Sequence, residues 1–116
     1  LIGTEYLPNF RESILIIEDI GEAPYRIDRM LTHLRLAGIL QQLSGLGFGS
    51  FTSCDEDKNV NKEESFELID IFRDRTKDLT IPIVSNLPIG HCHGNASLPL
   101  GGQAILDGNK GCISLF

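Results

Sequence analysis

Four consecutive apolar residues, Ile14-Leu15-Ile16-Ile17, run straight into two acids, Glu18-Asp19. A half-buried strand alternates apolar and polar side chains, and this stretch does not. Three of the four apolar residues are β-branched, which suits a pleated backbone. The pattern predicts a central strand over 13–18, covered on both faces as parallel strands in α/β proteins are. Glu18 and Asp19 then lie where that strand leaves the core. In open α/β sheets, the ground outside the carboxyl ends of the strands is where ligands and reacting groups collect. Glu18 is therefore the first candidate site residue. Its expected task is to orient a histidine that arrives from much later in the chain, His91.

The rest of the chain supplies the elements around that strand. Gly21 and Pro24 bracket a turn, and Pro24 suits the first position of a helix because its missing N–H has no partner there anyway. A helix is predicted over 24–37, with Ile27, Met30, Leu31, Leu34 and Ala37 at three- and four-residue steps and Gly38 as its stop. Residues 43–51 read as a second strand, rich in glycine at Gly45, Gly47 and Gly49. Glycine inside a strand marks close approach by another backbone or a ligand. A second helix is predicted over 62–77, capped by Asn61, favoured by Glu63 and Glu64, and striped by Phe66, Ile69 and Phe72. Ile81-Pro82 opens a short third strand over 81–85. Strands over 98–106 and 112–116, joined by Asp107-Gly108-Asn109-Lys110-Gly111, complete a hairpin. The order βαβαβ plus a β-hairpin predicts one three-layer α/β domain with a mixed sheet, and 116 residues is one domain's length.

A formal charge of −6 argues against nucleic acid or an anionic membrane as the main partner, since both demand clustered Lys and Arg. No apolar run approaches the roughly 20 residues of a membrane span. Three cysteines, Cys54, Cys92 and Cys112, give an odd count without close pairs, so reduced thiols and a cytoplasmic location are expected.

His91 lies in Pro88-Ile89-Gly90-His91-Cys92-His93-Gly94, just after the third strand and at the same sheet edge as Glu18. A carboxylate there can accept Nδ1–H, fix the tautomer and stabilise the imidazolium. A packing role in a glycine-rich turn competes with this. So does a zinc site of His91, His93 and Cys92 with Glu18 or Asp19, although only two of the three protein ligands a catalytic zinc needs are clear. Glu18, Asp19 and Glu22 also have a plain role as partners of Arg26 and Arg29, with Arg29 expected to pair with Asp19 or Asp28. Ser50 and Ser53 have no Gly-x-Ser-x-Gly elbow around them, so their loop is expected to line a cleft through backbone groups. Asp55, Glu56 and Asp57 lack the Gly and closing Glu of a calcium loop.

Several segments together resemble one family, the LD-carboxypeptidases, which include murein tetrapeptide carboxypeptidases and microcin C immunity proteins. The segments are Ile16-Ile17-Glu18-Asp19-Ile20-Gly21-Glu22, Pro24-Tyr25-Arg26-Ile27-Asp28-Arg29-Met30-Leu31, Leu34-Arg35-Leu36-Ala37-Gly38, Gly49-Ser50-Phe51, Ile81-Pro82-Ile83, Leu87-Pro88-Ile89-Gly90-His91, Leu98-Pro99-Leu100-Gly101 and Ala104-Ile105-Leu106-Asp107. The resemblance implies a swivelling β/β/α domain and a Ser-His-Glu triad. It puts the family's Glu on Glu18 and its His on His91, with Ile89 where the family has an aromatic. It implies that residues 1–116 are the C-terminal domain, and that the nucleophilic Ser belongs to an N-terminal domain. The implied reaction is hydrolysis of a muropeptide before its terminal D-Ala, during cytoplasmic cell-wall recycling, by a homodimer without metal or cofactor. The alternatives are a microcin C-type immunity peptidase and a non-catalytic scaffold or oligomerisation domain. The resemblance does not explain Cys92 and His93.

Overall fold

The computed structural model describes residues 1–54 and 67–116. In chain order these form strand β1 (Ile14–Ile20), helix α1 (Pro24–Leu36), a 3₁₀ turn (Leu40–Gln42), strand β2 (Gly45–Thr52), helix α2 (Leu68–Thr76) and strands β3 (Ile83–Val84), β4 (Ala104–Asp107) and β5 (Cys112–Leu115). β1, β2 and β3 make a parallel sheet in that order, and β4 and β5 make an antiparallel pair. One core cluster joins the parallel sheet to the helices through Ile27, Leu31, Leu46, Phe48 and Phe72. A second joins it to the hairpin through Val84, Leu87 and Leu106. The expected three-layer α/β class holds, with hairpin, parallel sheet and helices as the layers. The parallel and antiparallel strands stand in two sheets rather than one. Among the described residues no helix is long and apolar enough to cross a membrane.

Among the described residues β1 is an edge strand, not the central one, because it pairs only with β2. The unbroken apolar run did report two covered faces. Leu15 and Ile17 pack on the helix side, Ile14 and Ile16 on the hairpin side. Cover above and below is independent of hydrogen-bonded neighbours to left and right, and only the former leaves a mark in hydrophobicity.

The centre belongs to the glycine-rich β2, whose first five residues are buried. Its Gly-Leu-Gly-Phe-Gly alternation has the period of a strand. Leu46 and Phe48 belong to the helix-side cluster, where Phe48 stacks on Phe72 with ring centroids 4.0 Å apart. The glycines face the other way. A Cβ on Gly47 would lie 2.5 Å from Ile16 Cδ1 and 2.7 Å from Leu87 Cδ1, and one on Gly49 would overlap the Ile89 carbonyl oxygen. The glycines therefore admit the chain after β3 close against the sheet.

α1 starts at Pro24 and ends in a Schellman arrangement: Ile39 N–H donates to Leu34 O at 3.0 Å and Gly38 N–H to Arg35 O at 2.9 Å, with Gly38 at φ +71°. Its buried residues are Pro24, Ile27 and Leu31, whereas Met30 from the expected stripe is exposed. The α2 stripe shifts similarly: Leu68, Ile71, Phe72 and Thr76 are buried and Ile69 is exposed. The predicted cap Asn61, with Glu63, Glu64, Phe66 and the acidic stretch Asp55-Glu56-Asp57, lies outside the described residues.

Ion pairs hold the two helices together. The Arg75 guanidinium grips both Asp28 oxygens, one at 3.0 Å, and Arg35 reaches Asp78 Oδ2 at 3.0 Å and Arg75 O at 2.8 Å. Asp28 therefore does not pair with Arg29 as expected, since adjacent helical residues point in different directions. Glu22 does pair with Arg26, at 3.3 Å. Of the expected strand 98–106 only Ala104–Asp107 forms, because Pro99-Leu100-Gly101-Gly102 closes a turn with Gly101 at φ +75°. The hairpin loop is as expected: Asp107 Oδ1 accepts from the N–H groups of Asn109 and Lys110, both at 3.0 Å.

Candidate active site

Glu18 is set by an irregularity in the parallel pairing. Ile17 pairs with Phe48, but Asp19 pairs with Phe51, so Gly49 and Ser50 together stand opposite Glu18. A bulge of this kind bends the strand and re-aims the side chains around it.

The chain after β3 then follows β2 closely. Leu87 N–H donates to Phe48 O at 3.0 Å, Ser50 N–H to Ile89 O at 2.8 Å, and the Thr52 hydroxyl to His91 O at 2.6 Å. From the far side, the Asn95 side-chain oxygen accepts from Gly90 N–H at 3.0 Å. Gly90 adopts φ +110°, and a Cβ there would lie 2.5 Å from Glu18 Oε2. The loop can thus lie against the carboxylate only because position 90 has no side chain.

These contacts bring His91 Nδ1 to 2.8 Å from Glu18 Oε2, across 73 positions of sequence. Facing a carboxylate, Nδ1 carries the ring proton. Nε2 then holds the lone pair and makes no hydrogen bond to the described residues. The His91 side chain is 56% exposed and that of Glu18 33% exposed, so the imidazole faces outward while the carboxylate sits deeper. A neutral imidazole held in this way can take a proton at Nε2 and return it, and the adjacent carboxylate stabilises the charged form.

The other candidates lie elsewhere. Asp19 uses Oδ1 to accept from Ile20 N–H at 2.8 Å, and Glu22 is occupied by Arg26. Cys92 and His93 follow His91 but line a separate cleft of about 780 Å³, with Phe51, Phe72 and Pro88 on its walls. No three His, Cys, Asp or Glu side chains among the described residues converge as a metal site would require. Ser50 and Gly49 do line that cleft, as expected, but the Ser50 Oγ is buried and has no hydrogen-bond partner among the described residues. Thr52 and Asn95, which hold the His91 loop, went unnoticed in the sequence. The best available signal for them was the bare glycine before His91, which implies a loop pressed against something.

Residues 1–106 match the LD-carboxypeptidase C-terminal domain family. The chain belongs to that family. It is 44% identical over 115 residues to a putative carboxypeptidase of Synechocystis, an alignment that takes in 99% of this chain and 37% of the relative. The muramoyltetrapeptide carboxypeptidase of Oxalobacter formigenes superposes with a TM-score of 0.76 at 34% identity, over 89% of this chain and 35% of that one. The microcin C7 self immunity protein MccF superposes with a TM-score of 0.81 over 97% of this chain and 32% of that one; at 23% identity this likeness concerns the fold. The chain spans about a third of the length of the curated relatives it matches. In this member of the family the Glu-to-His contact sits on a layer order of hairpin, parallel sheet and helices.

Proposed function

We propose that this domain supplies the base and its orienter to a serine-type LD-carboxypeptidase, with His91 as general base and acid and Glu18 holding it. The observation that carries the proposal is the 2.8 Å contact between His91 Nδ1 and Glu18 Oε2, with Nε2 left to face outward. The nucleophilic serine belongs to the N-terminal part of a longer protein. In the first step His91 Nε2 takes the serine proton as Oγ attacks the scissile carbonyl. The imidazolium then protonates the leaving D-amino acid, and water releases the acyl group by the same relay. Backbone N–H groups of the nucleophile turn stabilise the oxyanion. The substrate is a muropeptide, a reading supported by the name of the Oxalobacter muramoyltetrapeptide carboxypeptidase, and the bond cut is the one before its terminal D-Ala.

The test is D-Ala release from a peptidoglycan tetrapeptide by the whole protein. His91→Ala and Glu18→Gln are each expected to lower kcat/KM by about 10³-fold or more while the fold is retained. Wild-type-like turnover by either variant refutes the assignment. An aminoacyl-sulfamoyl nucleotide run in parallel separates a murein peptidase from an immunity-type enzyme. Turnover of neither substrate favours the non-catalytic scaffold.

A further inference from the structure

Ser50 is unexplained by the pair itself. It stands in the bulge opposite Glu18, and its backbone N–H is spent on Ile89 O. Its hydroxyl is buried without a partner among the described residues. A buried donor left unmatched costs stability, so natural proteins keep few of them, often at working sites. Its surroundings are specific. The point that a Gly90 Cβ would occupy lies 2.7 Å from Ser50 Oγ and 2.5 Å from Glu18 Oε2. The hydroxyl and the carboxylate are therefore neighbours across a glycine that leaves the space between them clear of side chain. In this structure the hydroxyl is not yet hydrogen-bonded to the carboxylate.

We infer that Ser50 is a positioning residue, whose hydroxyl donates to the Glu18 carboxylate and fixes its plane against His91. Thr52, two residues on, already holds the His91 backbone through its own hydroxyl. The two side chains let β2 hold both members of the pair, one through the carboxylate and one through the main chain. A carboxylate with a second donor loses its freedom to swing away from Nδ1 when the ring becomes charged. The nearby titratable groups leave the role open: Asp19 is turned to Ile20 N–H, and Cys92 and His93 line the neighbouring cleft.

The kinetic part of this inference rests on the peptidase reading, and the spectroscopic part does not. Ser50→Ala and the near-isosteric, poorly donating Ser50→Cys are made in the whole protein. In both, the downfield resonance of the His91 Nδ1 proton is expected to move from its wild-type position, and the thermal midpoint is expected to fall. For D-Ala release, kcat falls about tenfold and KM stays within about twofold, because orientation rather than binding is lost. Removing an unpartnered buried hydroxyl would instead leave the midpoint unchanged or raise it. An unmoved Nδ1 resonance in a folded variant overturns the inference whatever the rate. Should Ser50→Ala fail to fold, Ser50→Cys carries the same comparison. If wild type releases no D-Ala, the peptidase reading falls, while the resonance still decides the role of Ser50.

Discussion

Gly90→Ala perturbs the pair without touching either member. The new methyl carbon would lie 2.5 Å from Glu18 Oε2, 2.7 Å from Ser50 Oγ and 2.9 Å from Glu18 Cβ. Ordinary contact starts near 3.4 Å, so the carboxylate must retreat by about 0.9 Å. A retreat of that size can stretch the 2.8 Å bond to His91 to as much as roughly 3.7 Å, beyond hydrogen-bond length. The orienter is then lost although Glu18 is still present. The expected effect in the whole protein is a fall in kcat/KM of about 10²-fold or more. A backbone cost comes in addition, since φ +110° is strained for any residue with a side chain, by about 1–3 kcal/mol. Gly94→Ala separates the two effects. Gly94 has φ +76° in the same loop, but a Cβ there meets nothing within 4 Å. Gly94→Ala is expected to lose stability and keep activity, whereas Gly90→Ala loses both. Urea denaturation gives the stabilities and D-Ala release gives the rates. Unimpaired turnover by Gly90→Ala would refute the reasoning, and so would an equal loss of turnover by Gly94→Ala.

Two further predictions concern the scaffold. Phe48 is 1% exposed and stacked on Phe72, so Phe48→Ala is expected to cost about 3–5 kcal/mol in denaturant unfolding. A loss below about 1 kcal/mol would mean that the helix layer does not rest on this stack. The hydrogen bond from Arg35 holds the Asp78 carboxyl below the usual carboxylate range. A carboxylate depressed in the folded state stabilises the fold above its unfolded pKa, and that contribution is lost as pH falls through the folded value. Wild type is therefore expected to lose stability faster than Asp78→Asn as pH falls below about 4. Parallel pH profiles of the two urea midpoints would contradict this.

The sequence disclosed faces better than edges. The run from Ile14 to Ile17 announced two covered surfaces, and both are present, yet β1 is an edge strand. Hydrophobicity records what lies above and below a strand; its lateral neighbours are bound by backbone groups common to every residue. The glycines of β2 were legible as a sign of close approach, because only one physical need excludes a side chain from a strand interior. Exposed Ile69 and Met30 were misread because a stripe of apolar residues can run past the contact it serves. The contact of Glu18 with His91 was expected from strand ends together with the family resemblance, and the structure brings the two together. The supports were not legible. Thr52 and Asn95 act through a main-chain oxygen and a main-chain N–H, so their importance lies in where the backbone passes rather than in any pattern of residue types.

The 73-position interval between the acid and its histidine has a bearing on when their contact can form. Ribosomes deliver Glu18 and β2 well before the loop of residues 86–91 that docks along β2. Until that loop has emerged, the carboxylate has no imidazole to hold, whatever has already folded upstream. A nascent or prematurely terminated chain would then carry Glu18 without the imidazole it contacts. Chain order alone thus makes the loop, not the acid, the part for which the contact waits.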